Sequence, residues 1–265
     1  MTVSGSFLLG LVQGLTEFLP VSSSGHLVLA SRVLDLTMSG VAFEVWLHVA
    51  TLTAVGAALW RDILFLVRGN LPGAPREEAR RARVFVLALA AGTLPAVVVG
   101  LLAKDAIEAA FTSVRLVGAD LLLTAVILFA TRFLPPGTRE ADVKRGFLVG
   151  VAQALAILPG VSRSGTTLAA ATALGLRTGE ALRFSFLLAV PVILGGVVLE
   201  AGELREMGGE GVLPMAVGFI TAAASGYLAI RVVWRVMERR KLALFAPYCA
   251  AVGVVAMIVG GTVVR

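Results

Sequence analysis

Two stretches of this 265-residue chain concentrate side chains able to handle a phosphoryl group. The first is Glu17-Phe18-Leu19-Pro20-Val21-Ser22-Ser23-Ser24-Gly25-His26, and the second is Leu158-Pro159-Gly160-Val161-Ser162-Arg163-Ser164-Gly165-Thr166-Thr167. Ser22, Ser23, Ser24, Ser162, Ser164, Thr166 and Thr167 offer hydroxyl donors, while Gly25 and Gly165 let the backbone approach a ligand closely. Arg163 adds a permanent cation whose planar fork matches phosphate oxygens. Glu17 follows Gln13 by one helical turn on the same face. Three roles stay open for its carboxylate: binding a divalent cation that bridges to phosphate oxygens, with Gln13 as a further metal ligand; general base toward a hydroxyl or water; or ion-pair partner of Arg163. His26 can relay a proton, accept a phosphoryl group or cap a helix.

The elements that position these residues follow from an extreme composition. Hydrophobic residues make up 58% of the chain, glycine adds 29 positions and charged residues only 15%. Soluble domains hold roughly 45–50% apolar residues with glycine counted in, which excludes an ordinary soluble protein, and so few charges give poor support to a disordered chain, a coiled coil or a nucleic-acid module. Two histidines and one cysteine exclude a zinc cluster, and Cys249 alone forms no intrachain disulfide. Apolar runs at Val41–Trp60, Val84–Ala103, Val114–Leu134, Phe184–Leu199, Val212–Val233 and Leu244–Val264 read as six full transmembrane helices. Two more apolar segments, 6–36 and 146–176, are broken at the phosphoryl-handling motifs, and each half is too short to span a bilayer. The expected fold is an all-α polytopic membrane protein of ten helical segments.

Basic residues gather in loops 61–83, 132–145, 177–183 and 231–241, which places those loops inside. The loop from Glu200 to Glu210 is acidic and belongs outside, as does the balanced loop 104–115. Helix parity is kept only if the first broken segment is re-entrant from the outer face and the second from the inner face. An internal repeat supports this parity. Displaced by 140 positions, Phe7-Leu8, Gly10, Gln13, Leu15, Val21-Ser22, Ser24-Gly25 and Ala30 match Phe147-Leu148, Gly150, Gln153, Leu155, Val161-Ser162, Ser164-Gly165 and Ala170. The chain therefore divides into two inverted repeats, 1–135 and 136–265, each a re-entrant hairpin followed by three transmembrane helices within one membrane domain. Irregular backbone at membrane depth must line a polar cavity, and the helices opening at the two breaks point their N-termini into it, as an anion site requires. Elsewhere Glu44 and His48, one turn apart, can extend that cavity, and Asp120 reads as structural.

Together with Phe-Ser-Phe-Leu-Leu-Ala-Val-Pro at 184–191, the two long motifs resemble the bacterial undecaprenyl-diphosphatase family, the bacitracin-resistance membrane phosphatases, over essentially the whole chain. The resemblance implies hydrolysis of undecaprenyl diphosphate to undecaprenyl phosphate and inorganic phosphate in the bacterial inner membrane, with dependence on Mg2+ or Ca2+ and an active site open to the extracytoplasmic side. It implies Glu17, Ser23, His26 and Arg163 as the catalytic set, with Ser22, Ser162, Ser164 and Thr167 as phosphate ligands. Gln13 departs from the family, many of whose members carry a second glutamate there, and His48 stands where glutamine is expected. The implied partners are the polyprenyl diphosphate and membrane lipid, with no nucleic acid; a homodimer is compatible. The inverted repeat keeps a second class open, a transporter or flippase for a phosphorylated polyprenyl lipid. Covalent attack by Ser23 and direct attack by water fit the residues equally.

Overall fold

The computed structural model describes residues 2–33, 40–199 and 211–262. Twelve α-helices occur among them: α1 (Val3–Phe18), α2 (Ser23–Val33), α3 (Gly40–Ala58), α4 (Trp60–Gly69), α5 (Arg76–Leu102), α6 (Lys104–Phe111), α7 (Val114–Ala130), α8 (Val143–Leu155), α9 (Arg163–Ala173), α10 (Thr178–Leu199), α11 (Val212–Glu238) and α12 (Ala246–Thr262). The only strand-like pairing among the described residues is the isolated bridge between Arg139 and Leu176. The chain is thus an all-α polytopic membrane protein. The acidic loop 200–210 and the end of the first hairpin, residues 34–36, lie outside the described residues.

Five helices are long and apolar enough to cross a membrane, and the pair Ala42–Ala58 and Trp60–Gly69, bent by 76°, makes up to a sixth. The helix over the apolar run 41–60 ends at Ala58, where the chain turns into α4. One correction is the number of helical segments, ten having been expected. α4 and α6 lie where the charges of loops 61–83 and 104–115 read as irregular chain, because both are short and mix apolar with charged positions. Large apolar side chains such as Leu94, Val98, Leu101, Val126 and Ile258 are exposed, as lipid-facing surface must be.

The breaks at the motifs are real and have local causes. Pro20 and the Pro159-Gly160 pair interrupt the helical hydrogen-bond ladder, and Gly160 sits at φ 106°, where a side chain is strained. Ser162 restarts the chain as N-cap of α9, its Oγ accepting from the Gly165 amide at 3.1 Å. After α9 the chain returns beside its own entry: Arg139 donates to the Gly175 carbonyl at 2.9 Å and the Arg177 amide to Arg139 at 2.9 Å. The second broken segment therefore enters and leaves at one level.

Packing partners are exchanged between the halves. α1 packs along α11, its repeat mate α8 packs along α5, and α7 crosses α12. Glycines set these close approaches. A Cβ on Gly10 would stand 2.5 Å from the Gly218 carbonyl oxygen, a Cβ on Gly150 would run into the Gly92 carbonyl, and Gly118 and Gly253 face each other across the α7–α12 crossing. The same exchange anchors the breaks: Thr124 Oγ1 on α7 donates to the Gly160 carbonyl at 2.9 Å, and Cys249 Sγ on α12 donates to the Pro20 carbonyl at 3.5 Å.

Candidate active site

Glu17 occupies the last turn of α1 and is only 6% exposed. A buried carboxylate is tolerated only when paired and hydrogen-bonded, and this one is both. Arg163, the first residue of α9, donates through Nη2 to Oε1 and forms an ion pair. Ser23 Oγ donates to Oε2 at 2.6 Å, and Gln13 Nε2 donates to the same oxygen at 3.0 Å. One carboxylate thus joins the tip of the first broken segment to the tip of the second. Arg163 Nη1 remains buried with no hydrogen-bond partner, so half of its fork is free for an anion.

The two tips touch through backbone as well. Ser22 adopts φ 71°, a left-handed conformation uncommon for a residue with a side chain. Its Oγ accepts from the Gly160 amide at 3.1 Å and from the Gly25 amide at 3.3 Å, which holds the strained turn against its partner. Ser164 Oγ crosses the other way and donates to the Leu19 carbonyl at 3.1 Å. Gly25 and Gly165 suit this closeness: a Cβ on Gly25 would lie 3.1 Å from Gly160 Cα, and one on Gly165 would lie 3.1 Å from Pro20 Cβ, so either neighbour would have to give by a few tenths of an ångström.

A cavity of about 300 Å³ opens at this junction. Glu17, Ser22, Ser23, Ser24, Ser162 and Arg163 line its polar side. Phe111, Ile157, Val192 and Ile193 line an apolar side, so a head with charge and a tail without it are both accommodated. The first turns of α2 and α9 bring amides that have no intrahelical acceptor toward the same point. Two other cavities, of about 180 and 440 Å³, lie among the charged residues of α4, α5, α10 and α11 and hold none of the broken-segment residues.

Not every expected residue meets the cavity. His26 does not line it: Nδ1 lies 2.8 Å from the Ser22 carbonyl oxygen, and Nε2 lies 2.7 Å from the Tyr248 hydroxyl, with the two rings stacked. Thr167 is turned into the protein, where it bonds Arg163, Ser164 and Ser185. Thr166 is buried with its hydroxyl unpartnered, away from the cavity lining. Conversely, Gln153 lines the cavity at 1% exposure with neither amide atom hydrogen-bonded. Its signal lay in the repeat, since Gln153 is the counterpart of Gln13. His48 also lines the cavity, 3.7 Å from Glu17.

A family model described as bacitracin resistance protein BacA matches residues 6–255. The chain belongs to the BacA family. Curated relatives named undecaprenyl-diphosphatase include one from Methanosphaera stadtmanae, 35% identical over 97% of this chain and 98% of its own length. One from Bacteroides fragilis is 39% identical over 96% and 97%, and one from Bacillus cereus, named undecaprenyl-diphosphatase 1, is 40% identical over 95% of each chain. The BacA match takes in both broken segments, and with them every residue of the Glu17 cluster.

Proposed function

We propose that this chain is an integral membrane phosphatase that hydrolyses undecaprenyl diphosphate to undecaprenyl phosphate and inorganic phosphate, recycling the lipid carrier for peptidoglycan and other cell-wall polymers. The observation that carries the reading is the Ser23–Glu17–Arg163 cluster at the meeting of two helix N-termini, in a chain of the BacA family. Its named relatives support the substrate. The diphosphate occupies the polar side of the cavity, and the polyprenyl tail leaves along the apolar side into the bilayer.

The Ser23–Glu17 hydrogen bond favours the covalent route. Glu17 takes the Ser23 proton as Oγ bonds to the terminal phosphorus, and the bond to the bridging oxygen breaks to release undecaprenyl phosphate. Water then attacks the phosphoserine, Glu17 hands its proton back to Ser23 Oγ as the serine–phosphorus bond breaks, and inorganic phosphate leaves with the water's oxygen and protons. Arg163 Nη1 and the helix amides meet the charge that spreads over the phosphoryl oxygens. A divalent cation fits the donors present, because Gln13 Oε1 is a buried acceptor without a partner one turn from Glu17. These two residues would hold it, and it would supply neutralisation of phosphate charge. Ser22 and Ser162 hold the tips together beside the substrate. His26, bonded to Tyr248, acts in this scheme by fixing the start of α2 rather than by relaying a proton.

The proposal includes an inner-membrane location with the cavity open to the extracytoplasmic side, where the diphosphate is left after polymer transfer. A homodimer is not needed for the chemistry, because one chain supplies all of the polar residues named. The test is phosphate release from a short-chain polyprenyl diphosphate by the detergent-purified chain, with Mg2+, Ca2+ or EDTA. Release is expected with metal and is expected to fall by at least roughly a hundredfold in Arg163→Ala. Full activity in that variant overturns the reading.

A further inference from the structure

Glu17 has a fourth neighbour that the phosphatase mechanism does not use. His48, on α3, lines the cavity with its side chain 33% exposed, and its Nε2 stands 3.7 Å from Glu17 Oε2. The other ring nitrogen, Nδ1, lies 2.8 Å from the carbonyl oxygen of Glu44, one turn earlier in α3. A carbonyl only accepts, so the hydrogen-bond pattern places a ring hydrogen on Nδ1, and in the neutral ring the Nε2 lone pair then faces the cavity. Metal-binding imidazoles are held in this way: the far nitrogen donates to a backbone carbonyl, which fixes both tautomer and ring orientation.

At 3.7 Å the contact with Glu17 is too long for a hydrogen bond. Adjacent donors on an octahedral cation at roughly 2.1 Å stand about 3.0 Å apart, so the two side chains would close by about 0.7 Å to share one. Gln13 supplies a third donor: its Nε2 reaches Glu17 Oε2 at 3.0 Å, and its Oε1 is buried with no partner. No group of three His, Cys, Asp or Glu side chains that could hold a metal gathers among the described residues, and the set inferred here is mixed.

We propose that His48 is a ligand of the divalent cation at this site, giving a mixed set of carboxylate oxygen, amide oxygen and imidazole nitrogen. Oxygen-only sets suit Mg2+ and Ca2+, whereas an imidazole shifts preference along the series toward Mn2+, Co2+ and Zn2+. The chain therefore binds Mn2+ in preference to Ca2+. This inference rests on the proposed phosphatase reading only in placing a cation beside Glu17.

The experiment uses metal-stripped full-length chain in detergent, titrated with Mn2+ alone and read by electron spin echo modulation from imidazole nitrogen. The sequence holds two histidines, so two variants assign the signal. Wild type is expected to show the modulation, H26Q to keep it, and H48Q to lose it along with roughly tenfold in Mn2+ affinity. H48Q is expected to change Ca2+ affinity less, because glutamine still offers an oxygen. Modulation that survives H48Q, bound Mn2+ without modulation in wild type, or no bound Mn2+ overturns the assignment. If H48Q misfolds by circular dichroism and size exclusion, H26Q decides alone, since a signal kept there comes from His48 and a signal lost there excludes it. Phosphate release is measured separately. Imidazole-bound Mn2+ in a chain that releases no phosphate removes the phosphatase reading and leaves the ligand assignment, and release without imidazole coordination does the reverse.

Discussion

Glu17 and Arg163 hold each other in a buried site, and the consequences of separating them differ from those of removing both. Arg163→Met leaves a carboxylate buried without its counter-charge, so the folded chain is expected to lose about 3–5 kcal/mol. Adding Glu17→Gln removes the stranded charge and is expected to restore most of that loss while phosphate release stays absent. Unfolding in detergent, read for the two single variants and the double, checks both halves of this statement. Gln153 gives the opposite pattern. Neither end of its amide has a partner, so Gln153→Leu is expected to leave stability unchanged or higher and to raise KM for the diphosphate. A KM equal to wild type would separate Gln153 from the substrate. Most of the cluster was readable from the chain, because serine, arginine and glutamate beside Pro-Gly breaks are costly in lipid unless they meet. The facing of His26 was not. Its neighbour Tyr248 comes from α12, and no local pattern shows which side of a short helix a distant aromatic ring will cover.

Helices here approach to backbone distance, and glycine is what permits it. A Cβ on Gly150 would collide with the Gly92 carbonyl, whereas a Cβ on Gly100 meets nothing within 4 Å. Gly150→Ala is therefore expected to cost about 1–3 kcal/mol, and Gly100→Ala to be neutral or to stabilise by up to about 1 kcal/mol. Thermal unfolding of the two variants in one detergent compares them directly. The apolar runs and the two breaks were visible in advance, since continuous hydropathy and proline are strong signals. α4 and α6 were not, because Arg61, Asp62 and Arg68 in one and Lys104, Asp105 and Glu108 in the other read as loop charge. The 76° bend that separates α3 from α4 is set by tertiary packing, with Leu59 at the corner buried to 2% exposure.

At the scale of the whole molecule, the charge pattern assigns Arg76 and Thr138 to one membrane face and Thr112 to the other. All three are exposed, and Cys249 is fully buried. In intact cells, an impermeant maleimide is expected to label Thr112→Cys and to spare Arg76→Cys and Thr138→Cys until the membrane is opened. Labelling of all three in intact cells would contradict the assigned orientation. The 140-residue displacement was readable in the sequence, but the exchange of packing partners was not, because a repeat specifies likeness and not adjacency. That exchange governs how the protein can be made. α1 lies against α11, which begins only at Val212, and Glu17 is paired by Arg163. A chain synthesised from its N-terminus inserts Glu17 long before Arg163 or α11 exists, so the segment that carries Glu17 and Ser23 is the first to enter the membrane and the last to be completed. A chain truncated before residue 163 would keep Glu17, Ser23 and His26 yet have neither a counter-charge nor a groove for them, and would meet membrane quality control as an unfinished hairpin.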